Sequence, residues 1–155
     1  MSTKPASSAY AVFRPRRGRW MALIAAAAAV VVFGIVAFNL PQGGVTGWTA
    51  VDAGALFVFG LAMATILWRF AAIKAVPTPD GLTVRNLLVN RDLAWEEIVG
   101  VQFGGGTPWL VLDLADTEQL AVMAVQRADA EFAVSEAERM AALVEAHGFQ
   151  DPRVG

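Results

Sequence analysis

Two long apolar runs occupy the first half of the chain, and short alternating runs fill the second. The first, residues 20–40, reads WMALIAAAAAVVVFGIVAFNL and holds no charged residue. At about 1.5 Å rise per residue such a helix covers roughly 30 Å, the hydrocarbon thickness of a bilayer. A soluble protein rarely buries so long a helix that is apolar all round, so the run reads as a membrane span. The second, residues 53–73, reads AGALFVFGLAMATILWRFAAI. Trp48 stands just before it and Trp68 near its exit, as interfacial aromatics do. Asp52 falls outside the run, Arg69 lies about one turn from its end where it can snorkel, and Lys74 follows. Between the spans, Pro41, Gln42, Gly43, Gly44 and Gly47 carry the chemistry of a loop.

From Val76 the pattern shortens into alternating runs bounded by turn residues. Pro77-Thr78-Pro79-Asp80-Gly81 predicts a turn. Leu82 and Val84 predict a strand, with Leu87, Leu88 and Val89 as a candidate extension. Asn90-Arg91-Asp92 predicts the next turn, then Leu93-Ala94-Trp95 a short strand and Glu96-Glu97 a polar step. Ile98 to Phe103 is β-rich, and Gly104-Gly105-Gly106-Thr107-Pro108 predicts a hairpin loop. Trp109 to Leu114 and Gln119 to Val125 make two further strands around the turn Asp116-Thr117-Glu118. Strands so closely spaced predict a curved antiparallel sheet or partial barrel. The last element is an amphipathic helix with Ala133, Ala137, Met140, Ala141 and Val144 on one face. Glu131, Glu138, Arg139 and Glu145 lie away from that face. Asp129 is a candidate cap, Ser135 with Glu138 a later capping box, and Gly148 a stop. Such a helix would close the barrel's open end.

Composition sharpens this division. Hydrophobic residues make up 56% and charged ones 17% of 155 residues, and mean hydropathy is +0.50. The apolar excess lies before residue 75. The expected organisation is a basic disordered N-terminus over 1–19, a helical hairpin over 20–74, a small domain over 75–148 and a tail over 149–155. The lead-in, MSTKPASSAYAVF, has few groups to bury. With no cysteine, disulfides and Cys-ligated metals are excluded.

The net charge of −2 hides an asymmetry: residues 1–19 carry only bases, and residues 75–155 carry thirteen acids against five arginines. Arg14, Arg16, Arg17 and Arg19 precede the first span, Arg69 and Lys74 close the second, and the connecting loop has no base. The positive-inside rule then predicts a multi-pass protein of the plasma membrane with both termini cytoplasmic. A cleaved signal peptide is disfavoured, because the run exceeds a usual h-region and no small-x-small site closes it. No acid or histidine interrupts either span, which argues against a proton pump or transporter. Small residues four apart, Ala25 with Ala29 and Gly60 with Ala64, offer a weak packing signal.

Candidate chemistry is sparse. The glycine run lacks the lysine and the strand-to-helix setting of a phosphate loop. Trp95 and Trp109 read as core aromatics. Glu96 and Glu97, as neighbours on a strand, point to opposite faces and make no acid–base pair. His147 lies where a cation suits a helix C-terminus; no nucleophile or orienting partner is recognisable for it. We expect no catalytic residue, no metal site, no cofactor and no nucleic-acid partner, and read the chain as not an enzyme.

The order of parts carries a resemblance. Two N-terminal spans, then Asp80-Gly81-Leu82, then Trp95-Glu96-Glu97-Ile98, a strand pair and a closing helix resemble the small bacterial pleckstrin-homology (PH-like) membrane proteins. In particular they are similar to the actinobacterial group named after the low-molecular-weight protein antigen. The resemblance implies a two-helix transmembrane hairpin followed by a small α+β or all-β PH-like domain, its sheet capped by the C-terminal helix. It brings no catalytic residues. The chain departs from eukaryotic phosphoinositide-binding PH domains, whose basic loop pocket has no counterpart among its scattered arginines. Arg85 and Arg91, flanking an expected hairpin, are the only candidate headgroup pair. The leading reading is a membrane-anchored, non-enzymatic interaction or scaffold module with an unidentified membrane or cytoplasmic protein partner. The alternative is recognition of anionic lipid by Arg14, Arg16, Arg17, Arg19, Arg69 and Lys74 at the bilayer surface.

Overall fold

The apolar runs form two helices, α1 (Arg17–Asn39) and α2 (Ala50–Ala71), both long and apolar enough to cross a membrane. The structure, a computed structural model, describes residues 9–41, 43, 45 and 47–148. They divide into two compact units. One is Gly18–Ala72; the other joins the N-terminal segment up to Arg17 with Ile73 and the residues beyond it. Gln42 and Gly44 of the expected loop and the expected tail, 149–155, lie outside the described residues.

In the helical unit, the start of α2 is set by a reciprocal cap. The Asp52 backbone N–H donates to Thr49 Oγ1 at 3.3 Å, and the Thr49 N–H donates to Asp52 Oδ2 at 2.8 Å. Asp52 therefore lies inside the helix, three residues after its cap, rather than before it. Ala26, Ala29 and Ala64 pack together with Val30, Phe33 and Leu67 against them. Gly60 is required there, because a side chain would collide with the base of the Phe33 side chain. The small-residue signal holds for Gly60, Ala64 and Ala29, which are buried, but Ala25 faces outward. The inward face of α1 is Ala22, Ala26, Ala29, Gly34 and Ala37.

The other unit contains two antiparallel three-stranded meanders. β1 (Lys74–Pro77), β2 (Gly81–Arg85) and β3 (Asn90–Ala94) form the first; β4 (Ile98–Gln102), β5 (Trp109–Leu114) and β6 (Gln119–Gln126) form the second. The expected curved sheet is thus broken in two at a one-turn 3-10 helix, Trp95–Glu97. Glu96 and Glu97 sit in that turn, not on a strand, and Glu97 Oε2 accepts the Ala94 N–H at 2.7 Å. α3 (Glu131–His147) packs on β4 and β6. Its inner face is Ala133, Ala137, Met140, Leu143 and Val144; Ala141, expected there, is exposed. These join Leu82, Val84, Leu93, Trp95, Ile98, Leu110, Leu112 and Val122 in one core.

Two local expectations are corrected. The second turn falls at residues 86–89, where the Asn86 N–H donates to Val89 O at 3.0 Å, and Asn90, Arg91 and Asp92 belong to β3. Pairing of Leu82 with Leu93 fixes that register by burying both, so Leu87, Leu88 and Val89 leave the ladder. The second concerns the lead-in. From Ala9 onward it is packed, not disordered: Phe13 is fully buried and bridges β1, exchanging backbone hydrogen bonds with Ala75 at 2.8 and 3.0 Å. Residues 1–8 lie outside the described residues.

Candidate functional site

Arg139, His147 and Asp129 hydrogen-bond the segment of residues 9–17 to the domain. The Arg139 guanidinium lies 3.7 Å from the Phe13 ring centroid and donates to Ala9 O at 2.9 Å and Ala11 O at 2.7 Å. It is aimed by Glu136, three residues earlier on α3, through hydrogen bonds of 3.1 and 2.6 Å. His147 accepts or donates at both ring nitrogens: Nδ1 is 2.9 Å from Leu143 O and Nε2 is 2.8 Å from Tyr10 Oη. A neutral ring satisfies both when Nδ1 carries the proton and the Tyr10 hydroxyl donates. The ring also stacks on Trp95 at 4.9 Å, so His147 joins the N-terminal segment to the core. Trp95 itself is buried, and its Nε1–H donates to Thr78 O at 2.9 Å.

Asp129 is the one buried charged residue among the described residues. It does not cap α3, whose N-cap position is Ala130. Its two carboxylate oxygens instead accept the backbone N–H groups of Arg16 and Arg17, each at 2.9 Å. Two charge-assisted bonds satisfy a carboxylate that burial would otherwise penalise.

The bases singled out in the sequence take different places. Arg14 is exposed between buried Phe13 and Pro15. Arg16 lies 3.8 Å from the Phe132 ring centroid, and Arg17 makes a long 3.4 Å bond to Ala128 O. Arg19 is in the first turns of α1 and Arg69 in the last turn of α2. Lys74 and Arg85 are brought together, directly opposite in the β1–β2 ladder. Arg85 and Arg91 are not. Arg91 is opposite Val84, one row along, so the two arginines point to opposite faces. Arg91 is also committed to the acids of the β5–β6 turn, Nη1 to Glu118 Oε2 at 2.7 Å and Nη2 to Asp116 Oδ2 at 3.7 Å. Glu118, first by its hydrogen bond and then by its charge, raises the Arg91 pKa further.

Asn86 connects the two sheets. Its Nδ2–H donates to Ala121 O at 2.7 Å and its Oδ1 accepts the Met123 N–H at 3.1 Å. β6 is an edge strand, and the amide covers the two backbone groups a further strand would have taken. A shallow groove of about 420 Å³ runs between Glu96, Ile98 and Val99 on one side and Val144, Glu145 and Gly148 on the other. Its lining offers two carboxylates and no nucleophile. Among the described residues no cluster of three His, Asp or Glu side chains is placed to hold a metal ion.

Comparison with known proteins agrees with this architecture. Residues 74–142 match the family described as a bacterial PH domain. The uncharacterized proteins Rv1417 and MT1460 of Mycobacterium tuberculosis and Mb1452 of Mycobacterium bovis are each 39% identical over 124 residues, covering 77% of this chain and 80% of theirs. No solved structure matches. The chain belongs to one family with these mycobacterial proteins, and the residues that follow its apolar helices form a PH-like domain.

Proposed function

We propose that the chain is a membrane-anchored, non-enzymatic interaction module of the actinobacterial low-molecular-weight protein antigen type. Its two apolar helices span the plasma membrane as a hairpin and hold the PH domain at the cytoplasmic face. One observation carries this reading: a bacterial PH domain begins at Lys74, three residues after a helix that ends at Ala71 and keeps its large apolar side chains outward. Such a helix suits lipid rather than water. The bases at the outer ends of both helices, and their absence from the loop between, support cytoplasmic termini. Anchoring then raises the domain's effective concentration for partners in or on the same membrane.

Two experiments test this. A reporter enzyme active only outside the cytoplasm, fused after Gly155, stays silent; strong activity would refute the topology. Affinity capture of the intact protein in mild detergent returns a protein partner. Return of a small molecule without any protein would sink the interaction reading while leaving the anchor intact.

A further inference from the structure

The turn between β2 and β3 opens on Asn86, an ordinary turn residue, but continues through Leu87, Leu88 and Val89, which turns do not ask for. Its sequence is Asn86-Leu87-Leu88-Val89-Asn90, where glycine, asparagine, aspartate or serine would serve. Leu88 is 88% exposed and Val89 52%. Neither is needed by the core, and the turn is not a loose end: Asn86 clamps its first residue to Ala121 and Met123 of β6, and the Asn86 N–H to Val89 O bond closes it. A rigid turn therefore projects two aliphatic side chains outward.

The row of residues at the base of this turn is Lys74, Arg85 and Asn90, directly opposite one another across β1, β2 and β3. It carries two bases and no acid. The acids of the next rows are already engaged: Glu118 and Asp116 with Arg91 one row in, and Asp92 two rows in with the Thr83 hydroxyl at 2.6 Å. Apolar tips above a basic collar match the layered chemistry of a bilayer surface, where acyl chains lie beneath anionic headgroups.

Chain connectivity identifies which surface. α2 ends at Ala71 and β1 begins at Lys74, and three residues reach about 10 Å at most. Arg85 lies about 5 Å across the ladder from Lys74, and Leu88 is three residues further on. Whatever the domain's tilt, Leu88 stays within roughly 25 Å of the end of α2. We propose that the residue 86–89 turn is a membrane-contacting tip. Leu88 and Val89 enter the interfacial layer of the bilayer that α1 and α2 span, and Lys74 and Arg85 meet its anionic headgroups. This rests on the membrane-anchored reading above.

The absence of native cysteine makes a clean test available. Single-cysteine variants L88C, F59C and D80C of the full chain are labelled with an environment-sensitive fluorophore and placed in nanodiscs of phosphatidylcholine and phosphatidylglycerol. Quenching by spin-labelled lipids is then read. Asp80 lies in the β1–β2 turn at the far end of the same sheet, and Phe59 lies on an exposed face of α2. The expected result is strong quenching of F59C by mid-chain labels and of L88C by labels near the headgroup, with D80C unaffected. Replacing Lys74 or Arg85 by Gln lowers the inserted fraction of L88C by up to about fivefold per base. If F59C is quenched and L88C behaves like D80C, the tip proposal is overturned and the anchor stands. If F59C is not quenched, the anchor fails and the tip proposal falls with it. Because the quencher is carried by the lipid alone, L88C quenching reports proximity to lipid and not contact with a protein.

Discussion

The two units bury opposite kinds of residue. α1 turns Ala22, Ala26, Ala29, Gly34 and Ala37 inward and leaves Trp20, Ile24, Val31 and Phe38 exposed. α3 turns Ala133, Met140, Leu143 and Val144 inward and leaves Glu131, Glu138 and Glu145 in solvent. Water explains only the second arrangement. Large apolar side chains gain roughly 1.5–3 kcal/mol each by leaving water, and the proposed lipid setting accounts for a helix that leaves them outward and packs on alanine. In lipid no hydrophobic gain separates inside from outside, and close backbone approach decides the packing. The contrast means that the same substitution should have different consequences in the two units.

The largest expected effect is in the PH domain. Phe13 is fully buried, under the Arg139 guanidinium and beside β1. Phe13→Ala should destabilise that unit by about 3–5 kcal/mol, read as faster amide exchange across β1 and α3 in the detergent-solubilised protein. The comparison is Phe38→Ala, in the exposed set of α1, which should leave those same amides unchanged. Equal protection in both variants would show that residues 9–17 are no part of the domain's core. Next in size is Asp129→Ala, which strands the Arg16 and Arg17 N–H groups and should cost about 1–3 kcal/mol. In the helical unit, Gly60→Val should force α1 and α2 apart at Phe33, for about 1–3 kcal/mol. Its readout is loss of contact between cysteines placed on the facing helices, with domain melting unaltered.

The parts legible in the sequence were those with a strong period or strong turn chemistry. The apolar runs, the Gly104-Gly105-Gly106 hairpin, the Asp116-Thr117-Glu118 turn and the amphipathic helix each announce themselves by local pattern. The β2–β3 turn did not, because Leu87, Leu88 and Val89 have strand composition and Asn90-Arg91-Asp92 has turn composition. The pairing of Leu82 with Leu93 overrode both. Residues 9–17 were illegible for another reason. Tyr10 and Phe13 are two aromatics in a small, polar stretch, and their partners Arg139 and His147 lie more than a hundred residues away. Asp129 illustrates the same limit: its position before a helix suggests a cap, and only the fold shows that other N–H groups reach it first. Of the candidate bases, the Lys74 and Arg85 juxtaposition depended on register, which no charge count supplies.

The smallest effect sharpens the comparison most directly, because one chemistry occurs in both units. Asp129 accepts backbone N–H groups in a buried setting, and Asp52 accepts the Thr49 N–H in an exposed one. Thr49 completes that second arrangement by accepting the Asp52 N–H. Thr49→Ala removes the reciprocal bond and should cost about 1 kcal/mol, the usual loss for an N-cap. Water at an exposed helix end replaces most of what is lost, whereas nothing replaces it at Asp129. The expected consequence is local: faster exchange of the first-turn amides of α2, with the PH domain's protection unchanged. A Thr49→Ala effect as large as that of Asp129→Ala would mean that the start of α2 is shielded from water. The capping box would then belong to a buried boundary rather than to a solvated helix end.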